Sequence, residues 1–206
     1  AFSGKLNTGY LSCLLKNDGI STAFGFFLTT KYSLGGEARM AQKFVKSYNK
    51  IITPFFMPGP YDALRVSAAD SKSTVKKYKG VFKGIGEVKM FDGSSPDDPK
   101  FTELYDIAKE NGFIVMFHPY EQHRAAVEKI LKKYPDVVFL MHGDEDRGWI
   151  MDVIRDYKNV YYSLDANLFS LYGWERGPGR TEPSKEAWLA HTRNNFDSML
   201  NESLNR

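Results

Sequence analysis

Residues 112–119, GFIVMFHP, and 136–143, DVVFLMHG, end in the same way: four apolar residues, a histidine, then a proline or glycine that turns the chain. Each run is short, rich in branched and aromatic side chains and bounded by turn residues, which predicts a strand rather than a buried helix. Four further runs have the same character: 21–29 (STAFGFFLT), 51–57 (IITPFFM), 81–88 (VFKGIGEV) and 159–164 (NVYYSL). Most lack clean alternation, as expected of strands covered on both faces.

Between these runs the apolar residues fall at i, i+3, i+4 and i+7. Ala41, Phe44, Val45 and Tyr48 make one stripe; Phe101, Leu104, Tyr105 and Ala108 a second; Val127, Ile130, Leu131 and Tyr134 a third; Ile150, Val153, Ile154 and Tyr157 a fourth. Each predicts a helix with one face to bury. SSPDDP precedes the second, Asn111-Gly112 closes it, and YPD closes the third. Strand, helix, strand at intervals of about 25 to 30 residues gives right-handed βαβ units and a parallel sheet. The fold class is therefore α/β. A doubly wound sheet and a (β/α)8 TIM-type barrel compete, and the G-x-G-x-x-G turn that would favour a dinucleotide-binding sheet is absent; GIGEV at 84–88 lies inside a strand. The barrel is the preferred form, as one domain over residues 1–206.

Composition narrows the function classes. The 206 residues carry 28 Lys and Arg against 25 Asp and Glu, with signs interleaved, so the net charge of +3 implies neither a nucleic-acid nor an acidic-membrane partner. A small-molecule substrate is expected instead, and a homo-oligomer is compatible with this surface. The single cysteine, Cys13, excludes an internal disulfide within the chain and any cysteine-rich zinc module, and suits a reducing, cytoplasmic setting. The longest apolar stretches run to about eight residues, short of the ~20 that span a bilayer.

In a parallel barrel the chemistry gathers where strands end and βα-loops begin. His118 and His142 hold that position on consecutive strands, and Glu87 brings a carboxylate to the same rim. Two neutral imidazoles and a carboxylate are the ligand set of a catalytic divalent ion, Zn²⁺ above all, with Mn²⁺, Fe²⁺ or Ni²⁺ as alternatives. The competing reading of Glu87 is a structural ion pair with Lys89, which shares its face if the strand continues. Lys89 is otherwise a candidate for neutralising substrate charge. His123, at the start of the following helix, is either a further catalytic group or a solvated surface residue. Asp144 and Glu145 are candidates for helix capping or for supporting the ligands, and Asp165 is either a rim carboxylate or plain turn chemistry. Phe117, Tyr120 and Tyr162 could line a pocket or fill the core. His191 lies in an amphipathic stretch and reads as structural. The Gly/Pro-rich segment 172–184, with Trp174, Arg176 and Arg180, reads as a substrate lid or a partner surface.

GIGEVKMFDGSSPDDPKFTELYDIAKENGFIVMFHP, with VEKILKKYPDVVFLMHGD after it, resembles the middle of a metal-dependent hydrolase of the amidohydrolase superfamily, in particular its TatD-like and amidohydrolase-2-like branches. The resemblance covers about residues 15 to 170 and is most specific at Gly86-Glu87, His118 and His142. It implies a (β/α)8 barrel with one or two divalent metals, in which Glu87 is the fourth-strand carboxylate ligand or bridge and His118 and His142 are the ligands of the fifth and sixth strands. It implies metal-assisted hydrolysis, with non-oxidative decarboxylation as an alternative on the same scaffold; a barrel that has lost its chemistry and serves as a binding protein is a third reading. Those families also carry a His-x-His pair after their first strand and an aspartate after their eighth. Neither is visible here, so the run at 21–29 corresponds to the second strand and the barrel is expected to be incomplete at both ends. Asp165 could replace the missing aspartate only if the strand count is off by one.

Overall fold

The structure, a computed structural model, describes residues 8–17, 19–29, 32–48, 51–59, 66–90, 93–142 and 147–163. Among the described residues six α-helices and six strands alternate: α1 (Thr8–Asn17), β1 (Ala23–Thr29), α2 (Leu34–Tyr48), β2 (Ile52–Pro58), α3 (Ala68–Lys77), β3 (Gly84–Lys89), α4 (Pro99–Asn111), β4 (Ile114–His118), α5 (Arg124–Lys133), β5 (Phe139–Met141), α6 (Arg147–Asp156) and β6 (Val160–Tyr162). Every strand pairs in parallel with its sequence neighbour, giving the order β1-β2-β3-β4-β5-β6. A doubly wound sheet reverses its order at a switch point. This one never does, so the helical crossovers all step the same way, as in a barrel. None of the described helices is long and apolar enough to cross a membrane.

Local chemistry explains the element ends. Asp98 accepts the Lys100 N–H at the start of α4, Pro99 occupies the first turn, and Gly112 closes the helix with φ 64°, a left-handed conformation suited to glycine. The predicted stripe of α4 is buried along its length (Phe101, Leu104, Tyr105, Ala108), as is that of α5 at Val127, Ile130, Leu131 and Tyr134. Helix α3 shows no such stripe, because only Ser71, Thr74 and Val75 are buried; its sequence signal is the Ser67 cap, which accepts the Asp70 N–H at 3.0 Å.

The core lies between sheet and helices. Phe139 of β5 meets Tyr105 of α4 at 5.4 Å and Phe117 of β4 at 5.3 Å between ring centroids. Tyr105 also meets Tyr134 at the end of α5, so one aromatic group ties two helices to two strands. Asn159 secures the approach to β5 and β6 by donating from its amide to the carbonyls of Leu131, Tyr134 and Val137. Strand β1 departs from the expectation of burial on both faces. Phe27 packs on Phe44 of α2, whereas Phe24, Phe26 and Leu28 on the opposite face are exposed. The reason is position: among the described residues β1 has β2 as its only strand neighbour.

Phe139 is fully buried, so Phe139→Ala leaves a cavity that the surrounding rings cannot close. Urea unfolding should show a loss of about 3–5 kcal/mol; a loss under about 1 kcal/mol would show that this aromatic group does not hold the helices to the sheet.

Candidate metal centre

Three neighbouring strands deliver the site. His118 is the last residue of β4. His142 follows Met141, and its backbone N–H still donates to the Phe117 carbonyl at 3.0 Å, which fixes it beside the end of β4. Glu87 stands near the end of β3, where the register is irregular: Ile85 pairs Val115, but Val88 pairs Phe117 and Lys89 pairs His118. Gly86 and Glu87 thus oppose Met116 alone, a bulge that re-aims the side chain beside it. Gly86 has φ 141°, and a Cβ there would collide with the Met116 carbonyl oxygen. Only glycine fits, and Glu87 takes its direction from this backbone.

The side chains converge. Glu87 Oε1 lies 2.9 Å from His118 Nδ1 and 3.4 Å from His142 Nε2. The two imidazoles stand 5.2 Å apart, nearly perpendicular at 84°. One ligand atom from each residue lies within 4.8 Å of the others, and among the described residues this is the group able to hold a metal ion. Around a tetrahedral zinc with bonds of ~2.0–2.1 Å, ligand atoms stand ~3.3 Å apart, so the two contacts of Glu87 bracket the required separation. The side chains are 12–18% exposed, which shields them but leaves them reachable. The donor set fits a divalent cation of borderline softness.

The second carboxylate oxygen is engaged elsewhere. Strand β3 does continue to Lys89, and its ammonium lies 2.9 Å from Glu87 Oε2. The ion pair therefore takes one oxygen of Glu87 and leaves the other facing the imidazoles. Burial pushes the Glu87 pKa up, but hydrogen bonds from His118 and Lys89 and the positive charge of His142 and Lys89 outweigh it, and the net direction is down. Glu87 is ionised at neutral pH. Because Oε1 can only accept, the His118 contact places a proton on Nδ1, which a bound cation would displace.

His123 is brought near the site without joining it. It closes a 3-10 turn at Glu121–His123 and is buried rather than solvated. Its Nδ1 accepts the Tyr120 N–H at 3.1 Å, and the Tyr120 ring meets both side chains, with centroids 5.5 Å from His118 and 5.7 Å from His123. Of the other rim aromatics, Phe117 is fully buried in the core and Tyr162 packs against it. Asp144, Glu145, Asp165, Trp174, Arg176, Arg180 and His191 lie outside the described residues. The sequence reading missed the bulge, although Gly86 inside a strand was its signal.

No family model and no curated protein matches the sequence. Solved structures do match in three dimensions. An uncharacterised TIM-barrel protein from Bordetella bronchiseptica superposes with a TM-score of 0.54 at 15% identity, covering 80% of this chain and 61% of that one. A probable 2-pyrone-4,6-dicarboxylic acid hydrolase from Acinetobacter baumannii, with citric acid bound, superposes with a TM-score of 0.57 at 9% identity over 94% of this chain and 83% of its own. A 5-carboxyvanillate decarboxylase from Sphingomonas paucimobilis gives 0.47 at 12% identity, over 80% and 68%. The chain thus spans about three-fifths of the Bordetella protein. What it shares with the first two is the fold, an α/β architecture of the TIM-barrel type.

Burial lowers the pKa of His123 below its ordinary value. The folded state therefore resists a proton that the unfolded chain accepts at ~6.5, and this residue's contribution to stability is complete above that pH and lost as pH falls through the folded value. Urea midpoints measured at pH ~7.5 and ~5.5 should fall with acidification, and His123→Asn, which keeps an acceptor for the Tyr120 N–H, should show a smaller fall. Equal falls would show that His123 is not held neutral by its burial.

Proposed function

We propose that this chain carries the metal centre of a divalent-metal-dependent hydrolase of the amidohydrolase type, acting on an amide, ester or phosphoester bond of a small molecule. One observation carries the reading: Glu87, His118 and His142 converge from the C-terminal ends of three consecutive parallel strands. That is the end at which enzymes of this architecture place their chemistry. The sequence resemblance to the amidohydrolase superfamily gives the same three positions, and the fold shared with a probable hydrolase supports it.

Glu87 Oε1, His118 Nδ1 and His142 Nε2 would hold the ion, with zinc suited best and Mn²⁺, Fe²⁺ or Ni²⁺ as alternatives. When bound, such an ion supplies Lewis acidity towards the scissile carbonyl or phosphoryl oxygen and brings the pKa of water towards ~7. Glu87 contributes one negative charge and Lys89 one positive, and the imidazoles are neutral as ligands, so the loaded site keeps the full charge of the cation. This favours a substrate that is anionic or develops negative charge in reaction. Small esters and lactones come first among candidates, since the Acinetobacter protein is named for a cyclic dicarboxylic acid. The lone Cys13 agrees with a reducing, cytoplasmic setting.

Metal-stripped protein titrated with Zn²⁺ should take up about one equivalent, and binding should weaken as pH falls through ~6.5, where protonated imidazole cannot ligate. Losing a supporting residue around a metal weakens affinity about 10–100-fold, so His142→Ala, which deletes a ligand, should weaken it more than about a hundredfold. Ester and lactone hydrolysis should vanish with a chelator and return with zinc. Failure of every transition metal to bind the wild-type protein would overturn the reading.

A further inference from the structure

We propose that Lys89 is a positioning residue that restricts Glu87 to one-oxygen ligation and thereby sets which divalent ion the site prefers. The inference rests on the metal reading above and adds a residue to it. Glu87 presents its two oxygens to different partners: Oε1 to both imidazoles at 2.9 and 3.4 Å, Oε2 to the Lys89 ammonium at 2.9 Å. Backbone geometry fixes this split. Lys89 is two residues beyond Glu87 on the same strand, hence on the same face, and it pairs with His118 across the ladder. The bulge at Gly86 sets the direction of Glu87, and both side chains are largely buried, at 12% and 22% exposure, so the contact is poorly screened.

A carboxylate free on both sides can ligate through either oxygen or through both. A charge-assisted bond to Oε2 engages that oxygen and resists the rotation that would bring it inward. Held this way, Glu87 offers one oxygen, and with His118 and His142 it supplies three donors. Three donors and an open position suit zinc. Manganese, which prefers more oxygen ligands, gains from a carboxylate that can bind through both. Lys89 therefore disfavours the higher-coordinate ion without touching it.

Removing the ammonium also removes a positive charge, which would tighten binding of any dication. That effect is equal for Zn²⁺ and Mn²⁺, because their charges are equal, so the ratio of their affinities isolates coordination from electrostatics. The experiment measures Zn²⁺ and Mn²⁺ dissociation constants by chelator competition on the full chain, together with the visible d–d absorption of the Co²⁺-loaded protein, for wild type and Lys89→Met. Expected is a fall in the zinc-over-manganese preference of about tenfold, the scale on which partners of metal ligands act, with weaker Co²⁺ bands as coordination number rises. An unchanged ratio and an unchanged Co²⁺ spectrum would overturn the proposal and leave the metal centre standing. Wild-type protein that binds none of the three ions would instead overturn the metal reading itself. Should Lys89→Met fail to fold, X-ray absorption of the zinc-loaded wild type decides: a carboxylate bound through both oxygens contradicts the proposal, and one bound through a single oxygen supports it.

Discussion

The divided carboxylate of Glu87 is the contact on which the site depends. One oxygen faces two imidazoles from the next two strands, and the other faces a lysine of its own strand. Enclosure raises the pKa of this carboxylate, and its hydrogen bonds and cationic neighbours more than offset that and bring it below its ordinary value. Removing any one partner changes the protonation, the direction or the occupancy of the same two oxygens. The three strands must therefore hold their register to within a fraction of a side chain, and the parallel ladder between β3, β4 and β5 does so.

That ladder is held from behind. Phe117 immediately precedes His118 at the end of β4, Phe139 opens the strand that leads to His142, and the two rings meet in the aromatic group with Tyr105. The packing places two imidazoles at one level, while the bulge at Gly86 brings Glu87 to meet them. Core and candidate site are thus successive layers of the same strands, apolar within and polar at the end.

Much of this was legible in the sequence because strand and helix differ in period. Each of the six apolar runs coincides with one strand, β2 and β3 extending one residue beyond theirs, and the four stripes fall on α2, α4, α5 and α6. His118 and His142 were legible because packing gives no reason for an imidazole to recur at the same place in two repeats. What escaped detection depends on local backbone events or on position in the sheet. Helix α3 lacks an apolar stripe, so only its Ser67 cap announces it. His123 was expected to be at least as often solvated as catalytic, but the 3-10 turn that ties it to the Tyr120 N–H buries it. The bulge shifts the register by one residue, which no count of alternating residues reveals. The exposed face of β1 reflects which strands flank it, a property of the assembled sheet and not of the run itself.

The most direct measurement is anomalous diffraction from crystals of the full chain grown with zinc, recorded on both sides of the metal's absorption edge. The predicted result is a single strong peak within bonding distance, ~2.0–2.2 Å, of Glu87 Oε1, His118 Nδ1 and His142 Nε2, with Lys89 still on Oε2. A peak elsewhere on the molecule, or no peak beside an intact pair of imidazoles, would contradict the metal centre and leave Glu87 as a structural ion-pair partner alone.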